Sequence, residues 1–142
     1  MSTKLFLILI LVSETFVNPE TNSYNYGSYA AVSTNTNLNE QTLTSTTSDQ
    51  SVVYITESEK TITNSNIQKQ SGDSSDIENS EFYGVNAAVL VNGGELTMTG
   101  GTITTAAKGA NSLCATNNGK VTISGTTITS TGESSARGLH TT

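Results

Sequence analysis

The stretch from Asn86 to Thr105 returns at Asn111 to Ser130: at a shift of 25 residues, eight of 20 positions are identical. Asn86, Asn92, Gly94, Thr97, Gly100, Thr102, Ile103 and Thr104 stand against Asn111, Asn117, Gly119, Thr122, Gly125, Thr127, Ile128 and Thr129. Leu96, Met98 and Ile103 fall opposite Val121, Ile123 and Ile128, with Thr, Ser or Gly between them. Apolar residues at every second place, interrupted by glycine, are the mark of short strands buried on one face and bent at turns. Glycine takes positive φ at such bends at no steric cost. An earlier copy matches at a shift of 36, where Ile55, Glu59, Ile62, Thr63 and Ile67 meet Val91, Glu95, Met98, Thr99 and Ile103. The extra residues fall in the polar stretch from Ser71 to Glu81, so an inserted, solvated loop is predicted at 70–82.

A strand-and-turn unit of this length cannot bury its apolar face alone and gains a core only by stacking on its neighbours. The expected fold is therefore all-β, a parallel β-helix solenoid whose coils lie about 4.8 Å apart and carry like residues in ladders. Ile67, Ile103 and Ile128 form one predicted inward ladder, and Asn92 with Asn117 a predicted amide ladder at a turn. Ala88 and Leu90 are expected inward, exchanging sizes with Leu113 and Ala115. Composition agrees, since 19 Ser, 25 Thr, 14 Asn and 12 Gly among 142 residues disfavour a helix bundle. A small antiparallel sandwich is the competing architecture. About three coils fit into 51–142. Residues 18–50, with Tyr24, Tyr26, Tyr29, Val32, Leu38 and Leu43 as their main apolar content, are expected to be a polar linker or an irregular cap. Gly138–Thr142 resembles Ser112–Thr116, so the repeat is read as cut short at the C-terminus, with a last coil exposed for self-association.

Lys4 precedes eight consecutive apolar residues, Leu5 to Val12. The run is short of the roughly 20 residues a membrane span needs, and with the small residues Ser13 and Thr15 behind it, it reads as a signal peptide at 1–17, hence a secreted or surface protein. A buried strand is the alternative reading. The single cysteine, Cys114, cannot form an internal disulfide, and no Asn begins an N-x-Ser/Thr acceptor. A net charge of -6 argues against nucleic acid as partner.

From Ser71-Gly72-Asp73-Ser74-Ser75 through Asn79-Ser80-Glu81-Phe82-Tyr83-Gly84-Val85-Asn86-Ala87-Ala88, and on through Gly94-Glu95-Leu96-Thr97-Met98 and Gly100-Gly101-Thr102-Ile103-Thr104, the chain resembles the adhesin-like right-handed parallel β-helix proteins of gut and anaerobic microbes. The resemblance covers about residues 46–142. It implies a pectate-lyase-like, right-handed solenoid of many coils, secreted or displayed outside the cell, adhesin-like or carbohydrate-binding, of which this chain, with about three coils, is a fragment or truncated product.

Catalysis on such a scaffold requires clustered carboxylates flanking the scissile bond. Asp49, Asp73 and Asp76 lie outside the best repeats, whereas Glu59 and Glu95 recur at one ladder position with Lys120 next in line. That column reads as a solvated surface with a Glu95–Lys120 pair, and the chain as non-enzymatic. His140 aligns with Cys114 and Val89, outward because Leu139 takes the inward place, and neither His140 nor Cys114 has an evident catalytic neighbour. Asp73, Asp76, Glu78 and Glu81 are oxygen donors of the kind calcium prefers, in a spacing unlike an EF-hand. No other cofactor is suggested. Thr61, Thr63, Thr97, Thr99, Thr122 and Ser124 form a hydroxyl-bearing wall, which with Tyr83 is the expected ligand surface. Phe82 and Tyr54 are the other aromatics near the repeats. The expected partner is a polysaccharide or cell-surface glycan, with a structural spacer or shell role, or a polysaccharide lyase or hydrolase, as the competing functions.

Overall fold

The computed structural model describes residues 7–11, 14–17 and 24–142. Each coil is three strands separated by two sharp corners and a longer return. The first coil is β3 (Ala31–Thr34), β4 (Leu38–Asn39) and β5 (Thr42–Ser45), and the second β6 (Ser51–Thr56), β7 (Glu59–Thr63) and β8 (Asn66–Lys69). The third is β9 (Val89–Asn92), β10 (Glu95–Thr99) and β11 (Thr102–Thr105), and the fourth β12 (Leu113–Thr116), β13 (Lys120–Ser124) and β14 (Thr126–Ser130). A further strand, β15 (Leu139–Thr141), lies on β12. Equivalent strands pair in parallel, giving three sheets ordered β5-β8-β11-β14, β4-β7-β10-β13 and β3-β6-β9-β12-β15. This is a parallel β-helix. The antiparallel sandwich is excluded.

The corners explain the spacing of the repeat. Passing from the second sheet to the first, each coil reverses through a left-handed residue, Glu40, Asn64, Gly100 or Gly125, with φ of 52, 47, 67 and 65°, and in the third coil Gly101 is left-handed as well, with φ 71°. A φ in this region favours Gly and Asn. At Gly101, the next residue, an added Cβ would stand 2.1 Å from the Ser65 carbonyl oxygen, so close stacking of the coils itself demands glycine.

Alternate side chains then point inward into one narrow core. Ile67, Ile103 and Ile128 stack as expected, joined at one end by Leu43, and Ile62, Met98 and Ile123 form the ladder of the second sheet. All of these except the half-buried Leu43 are fully enclosed, each burial contributing about 1.5–3 kcal/mol. One edge of the core is polar: Ser45, Lys69, Thr105 and Ser130 form a buried ladder, in which Thr105 Oγ1 donates to Ser130 Oγ at 3.1 Å and Lys69 Nζ donates to the carbonyl oxygens of Thr47 and Gln50.

The structure corrects three expectations. In the third sheet the register is 24, pairing Val89 with Leu113, Leu90 with Cys114 and Val91 with Ala115. The inward residues are therefore Val89 and Val91 against Leu113 and Ala115, while Leu90 points away from the core and Cys114 is partnered by Leu90, not Val89. The extra residue is taken up in the turn Asn117–Asn118, both left-handed, and the register of 25 resumes at Glu95 and Lys120. The inserted loop contains a helix, α1 (Ile77–Tyr83), whose N-terminus is capped by the Asp76 carboxylate accepting from Glu78 N–H and Asn79 N–H, and whose C-terminus is closed by left-handed Gly84. The segment 18–50 carries a complete coil, from β3 to β5.

The predicted leader lies partly outside the described residues. Within it, β1 (Leu7–Leu11) pairs antiparallel with β14, and β2 (Glu14–Val17) pairs antiparallel with β13. Two of the three sheet edges expected to be open at the last coil are thus paired.

Candidate functional site

Two surfaces stand out. The first is the outer face of the second sheet. Thr61, Thr97 and Thr122 are in register, as are Thr63, Thr99 and Ser124, and every one reaches solvent. The wall continues beyond the fourth coil, where Thr15 Oγ1 lies 3.0 Å from Thr122 Oγ1. At its border Glu59, Glu95 and Lys120 form the expected column, closed by a 2.9 Å Glu95–Lys120 pair that is about two-fifths exposed on both partners. An ion pair in this setting is worth about 0–1 kcal/mol. An open groove of about 270 Å³ runs among Asn37, Glu59, Lys60, Thr61, Glu95 and Thr97.

The second surface was not foreseen. All five tyrosines of the chain meet on the outside of the third sheet. Tyr54 and Leu90, paired at the repeat's own shift of 36, and Cys114, brought beside Leu90 by the one-residue slip between β9 and β12, lie on that outer face, where Tyr26, Tyr29 and Ala31 pack on them. Tyr54 Oη accepts from Asn92 Nδ2 at 2.7 Å, and Asn92 Oδ1 accepts from Asn117 Nδ2 at 2.7 Å, so the expected amide ladder exists and ends on a tyrosine. Tyr29 Oη accepts from Asn86 N–H at 2.6 Å and lies 3.1 Å from Ser51 Oγ. Burial holds the Tyr29 phenol far above its ordinary range, and Tyr54 is raised by the same cause. Asn86 is itself buried, with Oδ1 an acceptor lacking a hydrogen-bond partner.

Toward solvent the cluster opens into a rim. Tyr24 stacks on Tyr83 at 4.8 Å, and the neighbouring Phe82, 59% exposed, lies 6.4 Å from Tyr83. Beside Tyr24 an open cleft of about 290 Å³ runs to Asp49, Ser75 and Asn79. The sequence signal was the spacing of Tyr24, Tyr26 and Tyr29 in an otherwise polar segment.

The remaining candidates are dispersed into structural work. Asp73 accepts from Lys108 N–H at 2.9 Å, Asp76 caps α1, and Glu81 accepts from Ser135 Oγ and pairs with Arg137 at 3.5 Å. The Ser135 hydrogen bond, seconded by Arg137, lowers the Glu81 pKa. Asp73, Asp76, Glu78 and Glu81 do not assemble, and among the described residues no three His, Cys, Asp or Glu side chains are grouped to hold a metal ion. His140 lies on the outer face as expected, in register with Cys114 and with Nε2 2.6 Å from the Glu81 carbonyl oxygen. Burial lowers the His140 pKa and pushes the Cys114 thiol up to about 12, which leaves the thiol un-ionised at neutral pH. Among the described residues no helix is long and apolar enough to cross a membrane. No protein-family model, curated protein or solved structure matches the chain.

Proposed function

We propose that the protein is an exported, adhesin-like β-helix that binds a polysaccharide or cell-surface glycan without turning it over. The observation that carries this reading is the outward threonine wall, whose hydroxyls keep register over three coils. Hydroxyls on successive coils are spaced about 4.8 Å apart and those two residues along a strand about 6.6 Å apart, a fixed two-dimensional set of donors and acceptors. An extended polysaccharide repeats hydroxyls in the same manner. A rigid wall pays little ordering entropy on binding, so many weak contacts add up. Export rests on the apolar run after Lys4.

Affinity electrophoresis over a panel of soluble polysaccharides tests the reading. Retardation on at least one, with no release of reducing or unsaturated ends, is the expected result. No retardation on any would leave the spacer role, and liberated ends would make the protein an enzyme.

A further inference from the structure

Within the carbohydrate reading, on which this inference rests, the tyrosine face has a chemistry of its own. We infer that the cleft beside Tyr24, with its rim of Tyr83 and Phe82, is a subsite for one neutral pyranose unit and discriminates against uronic acids.

The rim and the cleft are one surface. Tyr24 both lines the cleft and stacks on Tyr83, and Asn79 in the cleft is one helical turn before Tyr83 on α1. A pyranose has a face of C–H bonds and an equator of hydroxyls. Aromatic rings desolvate the first, and amides, hydroxyls and a carboxylate bond the second. Both kinds of group are here, with Asn25, Ser28, Ser48, Asp49, Ser75 and Asn79 supplying the polar side. At about 290 Å³ the cleft stands at the small end of ligand sites and suits one ring rather than a chain of them.

Charge decides the class of sugar. None of the residues lining the cleft is basic, and Asp49 is anchored there, its two carboxylate oxygens accepting from Ser75 N–H and Ser75 Oγ. The buried Lys69, which feels the Asp49 charge, donates to the carbonyls of Thr47 and Gln50 and does not line the cleft. A uronate would bring its carboxylate toward a fixed anion on a chain of net charge -6, whereas a neutral hexose hydroxyl can donate to Asp49.

The test uses the tyrosines themselves. The chain has no Trp, so its intrinsic emission comes from this cluster. The full chain is titrated with gluco-, manno- and galacto-hexasaccharides and with hexagalacturonate. Expected are a saturable change with at least one neutral oligosaccharide, hexagalacturonate weaker by about tenfold or more, and a loss of about tenfold in Phe82→Ala and in Tyr24→Ala. Phe82 is mostly exposed, so its removal leaves the fold intact, which circular dichroism verifies. Asp49→Asn should narrow the gap between neutral and acidic sugars. Equal binding of hexagalacturonate, or unchanged binding by both aromatic variants while the parent binds, would overturn the subsite and leave the threonine wall as the binding face. Absence of binding to any saccharide, here and in the electrophoresis panel, would overturn the subsite and the carbohydrate reading together.

Discussion

Lys69 shows how one residue couples the polar edge of the coil to its packing. Its side chain is fully enclosed, with Nζ held by the Thr47 and Gln50 carbonyls and, at 3.5 Å, by Ser45 Oγ. Loss of solvent lowers its pKa from 10.5 to about 8, against the smaller opposing pull of Asp49 and Asp73. Between these two values the unfolded chain binds more protons than the folded one, so this residue's contribution to stability rises with pH across that window. Below about pH 8 the cost of enclosing the charge is fully present; above 10.5 it is gone. Urea unfolding of the parent and Lys69→Met should show the difference in stability shifting in the parent's favour from pH 8 to 10.5, and a flat difference would refute the assignment. The Cys114 thiol and the Tyr29 and Tyr54 phenols, all raised by burial, act in the opposite direction at high pH but cancel in that comparison.

At the scale of the element, period and burial explain both what the sequence made legible and what it concealed. In the first and second sheets one face is core and the other solvent, so apolar and hydroxyl residues alternate and the ladders of Ile103, Met98 and their neighbours could be read directly. The third sheet is covered on both sides, by the core and by the Tyr24–Ala31 segment with α1. Val89-Leu90-Val91 and Leu113-Cys114-Ala115 are apolar throughout, and a run without alternation carries no parity. The outward parity of Tyr54 and Leu90, and the one-residue slip that adds Cys114 to their face, were therefore invisible. Helix α1 was concealed by its polar composition, although Asp76 and Gly84 stood at its two ends. The first coil was concealed because an end coil has one stacking neighbour and needs fewer apolar residues: Val32 is 44% exposed and Leu38 alone is buried in β4. The glycine corners make a prediction at this scale. Gly101→Ala places Cβ against the Ser65 carbonyl at positive φ and should cost more than about 2 kcal/mol. Gly125→Ala shares the backbone conformation but meets nothing closer than 3.9 Å, and should cost about 1–2 kcal/mol. Equal losses in thermal or urea unfolding would show that coil spacing is not the constraint.

For the whole molecule, the scaffold is a stack in which each coil is held by its neighbours and the two outer faces are consequences of register. The threonine wall exists because β7, β10 and β13 align residue for residue, and the tyrosine face exists because β6 and β9 set Tyr54 beside Leu90 at the repeat's shift of 36 while β12 slips by one residue to add Cys114. At the far end β1 and β2 pair with β14 and β13 and cover those two edges for as long as the leader is retained. Everything above depends on that alignment. The most direct test is methyl NMR on a sample labelled at isoleucine. Ile103 should give strong contacts to both Ile67 and Ile128, with Ile67 and Ile128 separated by two coil spacings, about 9.6 Å, and giving none. A direct Ile67–Ile128 contact, or Ile103 contacts to neither, would contradict parallel stacking and remove the basis of both surfaces.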